Sequence, residues 1–207
     1  VPLGFQRWFR TWAVDYKATY DIYWNYDDTR MRVGDLPARA FDNAQQREQT
    51  WALFERYNKG LSATPEFDAA FAQIAKERIG DHPLRYYVVL PMAREADMWL
   101  RPRFELTTMP VDWWAVGAHP MESAEEVAYA LVNAGYLALA VVGFARWRRR
   151  GWDGRGAVAY AMLGFVALRC VLLLTLDNSE PRYTLECFPV VIVLAAFALG
   201  LRSPASD

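Results

Sequence analysis

SAEEVAYALVNAGYLALAVVGFARWRRRGWDGRGAVAYAMLGFVALRCVLLLTLDNSEPRYTLECFPVVIVLAAFALGL, residues 123–201, decides how the chain is read. No charge falls between Val127 and Ala145, and Arg169 is the single charge between Ala157 and Leu176. A helix rising ~1.5 Å per residue needs about twenty such residues to cross ~30 Å of hydrocarbon. Two spans are predicted, at about 124–146 and 156–176, with a third at about 184–201. The third is the short one, since Cys187 to Leu201 covers only ~22 Å at that rise. It starts as early as Tyr183, tilts little, or is cut short.

The ends of the first span carry its direction. Ser123 followed by Glu126 reads as a capping box, and acidic residues suit the positive end of a helix dipole. Arg146, Arg148, Arg149, Arg150 and Arg155 crowd the connection to the second span, and short basic connections stay on the cytoplasmic side. The expected topology places residues 1–122 outside the cytoplasm, the arginine elbow inside, Asp177 to Glu186 outside and Arg202 inside.

Length and average composition hide this division. The chain has 207 residues, a net charge of -1 and a mean hydropathy of -0.06, as an ordinary soluble domain does. That mean sums a charged, aromatic first part (1–122) and an apolar last part (123–207). The arginines cluster at a membrane elbow and not along a stripe interleaved with aromatics, so no nucleic-acid partner is expected. About 120 residues assigned to the outside, with no signal peptide among them, need something upstream to carry them across. The chain is therefore expected to be the C-terminal piece of a longer polytopic protein. Cys170 and Cys187 are expected as buried, inert thiols, although a disulfide is geometrically open to them.

Residues 1–122 read as helices. Phe5, Trp8, Phe9, Trp12, Tyr16, Tyr20 and Trp24 recur at spacings of three and four, with Arg7, Arg10, Asp15, Lys17 and Asp21 on other faces. Such a stripe is either a soluble core or the buried side of a helix lying on a bilayer. A second helix is predicted at about Pro37 to Tyr57, and a third from the Thr64 cap and Pro65 to Gly80. A fourth is predicted from Leu84 to Leu100, kinked at Pro91, with Tyr86, Tyr87, Met92, Met98 and Trp99 suited to a wet-to-greasy boundary. RPRFELTTMPVDWWAVGAHP reads as an irregular linker with Trp113 and Trp114 as interface anchors. Strand alternation is nowhere sustained. The predicted fold is all-α: two to three membrane helices with an extracytoplasmic layer of amphipathic helices.

Few residues suggest chemistry. His82 and His119 are each followed by proline and read first as turn residues, and no zinc spacing, glycine-rich phosphate loop or GxSxG is present. Asp27 and Asp28 read as an exposed acidic turn more than as a cation site. Arg169 stands out, because a charge inside an apolar span faces protein, water or a charged partner. It lies eight residues from Asp177 along the chain, and Asp177, Glu180 and Glu186 are its candidate partners. With Arg182 at the same face, two arginines make a phosphate clamp on one reading. On the other, Arg169 forms an ion pair that locks helices.

The pattern EPRYTLECFPVV, residues 180–191, resembles the C-terminal region of polyprenyl-phosphate-sugar-dependent glycosyltransferases, the family 39 and lipid A aminoarabinose-transferase-like enzymes of the GT-C fold. GFQRWFRTW, LPARAFD and KERIGDHPLRYYVVLPMAREADMWLRPR resemble the extracytoplasmic helical portion of bacterial members. The resemblance implies an integral protein of the bacterial inner membrane. It implies inverting transfer of a sugar from a polyprenyl-phosphate donor to an acceptor at the outer face, with the catalytic Asp in a loop that nothing here matches. Glu180, Arg182 and Tyr183 match the family's outer motif. Arg169, then His82 and Arg85, follow as substrate-binding candidates, the arginines for phosphate contact, Glu180 for orientation and Tyr183 for hydrogen bonding. The implied partners are membrane lipid, the lipid-linked donor and the missing N-terminal spans. No cofactor is implied beyond that donor, and metal dependence stays open. The alternative is a non-enzymatic membrane-anchored sensor or assembly subunit with a helical binding domain. A transporter, which would carry internal repeats, ranks third.

Overall fold

The computed structural model describes residues 2–26, 29–60, 64–103 and 110–200. Asp27, Asp28, Leu201 and Arg202 lie outside the described residues. Among the described residues the fold is all-α, with eight α-helices and no strand. Packing divides the chain into two units, one of Val1–Asp97 with Leu174–Glu180 and one of Met98–Leu173 with Pro181–Asp207.

In the first unit, α1 (Leu3–Arg10) lies on α4 (Pro65–Asp81). Gly4 allows the approach, because a Cβ there would overlap the Asp68 carbonyl oxygen. The Phe5 amide donates to Asp68 Oδ1 at 2.9 Å. Phe5, Trp8, Phe9 and Trp12 are fully enclosed with Phe54, Tyr57 and Phe71, and Phe5 stacks on Tyr26 with ring centroids 3.7 Å apart. This half of the aromatic stripe is core. The helix expected to run through Trp24 instead breaks after Arg10, where the Thr11 hydroxyl donates back to the Trp8 carbonyl at 2.6 Å. Asp15 then caps a new start, accepting from the Ala18 amide at 2.9 Å, and α2 (Tyr16–Ala18) opens into a π turn, Thr19–Tyr23. Tyr20 and Trp24 are exposed and pack on each other and on Tyr16.

The second predicted helix begins later than Pro37. That proline opens only the short turn Ala38–Ala40, and α3 spans Ala44–Gly60. Its start is capped reciprocally: Asn43 Oδ1 accepts from the Gln46 amide at 2.8 Å, and Gln46 Oε1 accepts from the Asp42 amide at 3.0 Å. α4 has Pro65 in its first turn, as predicted. Around Pro91 the chain widens into a π turn, Arg85–Val89, before α5 (Leu90–Leu100). Proline has no amide to donate and crowds the carbonyl four residues earlier, and an extra residue in the turn relieves both. Tyr87 and Met92 are exposed there, while Tyr86 and Met98 are buried.

The second unit holds α6 (Pro120–Arg149), α7 (Gly156–Leu173) and α8 (Phe188–Ala198). Three helical stretches, Pro120–Arg149, Gly156–Leu173 and Pro181–Ala198, are long and apolar enough to cross a membrane. The first starts at Pro120, upstream of the expected Ser123 cap, because proline fits a first helical turn; Ser123 and Glu126 are buried inside it. The third gains its reach from a tight turn, Pro181–Cys187, running into α8. At a 3-10 rise of ~2.0 Å per residue followed by α-helical rise, the stretch reaches about 30 Å. α6 and α8 pair closely: a Cβ on Gly143 would overlap the Leu194 carbonyl oxygen, and Trp147 stacks on Phe197 at 4.6 Å. The Arg146 guanidinium donates to the Ala198 carbonyl, closing that end of α8. The elbow between α6 and α7 turns through left-handed backbone at Gly151, Trp152, Asp153 and Gly154. Its two glycines take that conformation without strain, and Trp152 is held there against Trp147 and Phe144.

Candidate functional site

Six residues carried the sequence-based expectation, and they divide between the units. Arg169, Arg182 and Tyr183 belong to the second; Glu180, His82 and Arg85 belong to the first.

In the second unit, the three-residue period of the turn Pro181–Cys187 puts Pro181, Thr184 and Cys187 inside and leaves Arg182 exposed and Tyr183 half-buried. Cys170 is half-buried. Arg103, from the segment read as an irregular linker, holds the turn from within. Its Nη1 donates to the Pro181 carbonyl at 2.8 Å and its Nη2 to Thr184 Oγ1 at 2.6 Å, and its guanidinium lies 4.7 Å from the Phe188 ring centre. Arg169 reaches the same turn from α7. Its Nε donates to the Tyr183 carbonyl at 3.2 Å and its Nη2 lies 3.1 Å from Glu186 Oε2. Of the three acidic partners open to Arg169, the structure pairs it with Glu186. Asp177 pairs with Arg10 instead, at 3.0 Å, and Glu180 is buried.

The segment before Glu180, expected outside with Asp177 to Glu186, is packed into the first unit. The Ser179 amide donates to Thr19 Oγ1 at 3.2 Å and its hydroxyl to Asp97 Oδ2 at 2.6 Å. Asp97 also accepts from the Tyr16 amide at 3.2 Å. In the same unit Arg85 grips Asp42 with two nitrogens at 2.7 and 2.8 Å, and His82 is exposed at the end of α4. Burial alone raises the Asp42 carboxyl, but the hydrogen bond from Arg85 and the charges of Arg78 and Arg85 outweigh it and hold it below its ordinary value.

Arg78 is the organising charge of this unit, and sequence reading passed over it. It is fully buried on α4, and burial brings its guanidinium down to about 10 against the opposing pull of Asp42 at 3.4 Å. Nε donates to Thr11 Oγ1 (2.8 Å), Nη1 to the Ala40 carbonyl (2.9 Å) and Gln46 Oε1 (2.9 Å), and Nη2 to the Arg39 carbonyl (3.0 Å). One side chain thereby ties the end of α1, the 38–40 turn and the start of α3 to α4. The signal was visible: Phe71, Ile74, Ala75 and Arg78 share one helical face at offsets of three, four and seven. Arg94 sits likewise on the buried face of α5, four residues from both Leu90 and Met98.

Among the described residues, no group of three or more His, Cys, Asp or Glu side chains is placed to hold a metal ion. The chemistry on offer is cationic: guanidinium groups at one end of the apolar helices and a second set buried in the helical unit. No protein-family model, curated protein or solved structure matches this chain.

Proposed function

We propose that the chain is part of a membrane transferase that moves a sugar from a polyprenyl-phosphate donor to an acceptor at the outer membrane face, in the manner of the GT-C enzymes that its EPRYTLECFPVV segment resembles. One arrangement supports this reading. Where the third apolar stretch begins, the turn at Pro181–Cys187 leaves Arg182 exposed, and Arg169 comes from α7 to the adjacent Tyr183 carbonyl. Two guanidiniums at one end of the spans suit the phosphate of a lipid-linked donor, whose charge grows as the sugar leaves. The orientation follows from the arginines of the elbow, which favour the cytoplasm and put residues 1–122 and the 177–186 corner outside.

The experiment is transfer from defined polyprenyl-phosphate sugars by the full-length protein in its membrane. Arg182→Ala is expected to depress turnover by about a hundredfold, as loss of one charge-stabilising donor does, while protease accessibility reports unchanged insertion. Unchanged turnover removes Arg182 from the site. One observation favours a second reading, a non-enzymatic membrane-anchored sensor or assembly subunit: Arg169 is engaged by Glu186, as a helix lock requires. On that reading Arg169→Ala loosens the helices, and the full-length protein transfers sugar from none of the donors.

A further inference from the structure

The two buried arginines of the first unit meet different surroundings. Arg78 finds an acceptor for each guanidinium nitrogen. Arg94 is just as enclosed, at 1% exposure, yet only its Nη1 is engaged, with the carbonyl oxygens of Arg10 (3.3 Å) and Ala13 (3.0 Å) at the C-terminal end of α1. Its Nε and Nη2 are buried and meet no acceptor among the described residues. These two nitrogens form one edge of the planar group, the edge whose parallel N–H bonds match two oxygens of a single oxyanion. A buried cationic edge with nothing to donate to is costly, so a site of this kind points to a ligand.

Arg10 adds to it. Its Nη1 pairs with Asp177 at 3.0 Å, its guanidinium lies 5.5 Å from the Tyr86 ring centre, and its Nε is another buried donor without an acceptor among the described residues. Burial, and after it repulsion by Arg10, outweighs the attraction of Asp177 and Tyr86 and brings the Arg94 guanidinium down to about 10. Two guanidiniums against one carboxylate leave one positive charge uncompensated. The side chains of Arg10 and Asp177 are both partly exposed, so the cluster borders the surface.

We propose that Arg94 and Arg10 form a binding site for a phosphate group of single net charge. The Nε and Nη2 edge of Arg94 takes two oxygens, and Arg10 Nε takes a third contact. A phosphodiester carries that single charge, and its two non-bridging oxygens, each able to accept more than one hydrogen bond, suffice for the three donors. The phosphate belongs either to a lipid headgroup or to a free anion. This site is built from other residues than the Arg169 and Arg182 corner and holds whether or not the transferase reading does.

The test uses the full-length protein in a phosphate-free detergent, titrated with inorganic phosphate and followed by phosphorus NMR. In parallel the protein is held in nanodiscs of phosphatidylglycerol or of an uncharged glycolipid, and its thermal midpoint is compared. Saturable phosphate binding assigns a free anion; stabilisation by phosphatidylglycerol alone assigns a headgroup. Either response should weaken about tenfold or more in Arg94→Lys, which keeps the charge and loses the fork, and in Arg10→Gln. Circular dichroism checks that both variants fold. If Arg94→Lys does not fold, Arg10→Gln decides, because its side chain is partly exposed and outside the core. The proposal is overturned if neither probe gives a saturable response, or if folded Arg10→Gln responds as the parent does.

Discussion

The helical unit built on α1 and α4 and the unit built on α6 and α8 differ in how much apolar surface they leave outside. The first encloses Phe5, Trp8 and Trp12, and its buried Arg78 is led to backbone carbonyls and side-chain oxygens. The second encloses Ser123, Glu126, Asn133 and Gly143 and turns Leu131 (68% exposed), Val141 (68%) and Leu168 (74%) outward. Water makes the second arrangement expensive, because large apolar surfaces stay wet while polar groups lose hydration. In lipid the outward leucines cost nothing, and helices associate through close approach and polar contacts such as Asn133 Nδ2 to the Trp99 carbonyl at 2.7 Å. How much apolar surface a unit turns outward therefore reports its solvent more sharply than its average hydropathy does.

Three measurements test this contrast. The largest effect should come from Arg78→Ala, which leaves several buried acceptors and Asp42 without their cation; about 3–5 kcal/mol of stability in the first unit should be lost in chemical denaturation. A loss below about 1 kcal/mol would mean that the arginine does not hold that unit together.

Next is a matched pair of surface arginines. Leu168→Arg on α7 should cost about 2.5–3.5 kcal/mol in membrane insertion, whereas Trp51→Arg, at a site 57% exposed on α3, should change stability by no more than about 0.5 kcal/mol. Equal, small effects at both positions would erase the distinction between the units.

The smallest effect concerns pH. The folded Asp42 carboxyl lies below its unfolded value near 3.8, so its contribution is fully present above that value and is lost as pH falls through the folded one. Acid unfolding of the first unit should show this loss, on the order of 1 kcal/mol for a partly exposed pair. Asp42→Asn should flatten that part of the stability profile. An unaltered profile in the variant would show that Asp42 carries none of the acid sensitivity.

The aromatic stripe shows how far local reading went. Spacing alone grouped seven aromatics on one face from Phe5 to Trp24, but the backbone breaks at Thr11 and recaps at Asp15, so the first four are core and Tyr20 and Trp24 are exposed. Both breaking residues were visible, yet either one also fits inside a helix facing solvent. At the candidate corner, the position of Arg169 in an apolar run was legible, and its pairing with Glu186 over Asp177 or Glu180 was not. The nearest carboxylates along the chain were drawn into the other unit, Asp177 by Arg10, more than 160 residues away in sequence.

From the sequence alone came the all-α class, the apolar runs and their approximate limits, and the turn at Pro65. These depend on hydrophobic run length, period and proline, all of which act between near neighbours. Tertiary structure alone decided that Arg78 ties four segments together, that Arg94 keeps one edge without an acceptor among the described residues, and which carboxylate each arginine meets. The reason is physical: a helix closes its own backbone hydrogen bonds within four residues, whereas a buried charge must find its partner wherever packing brings one.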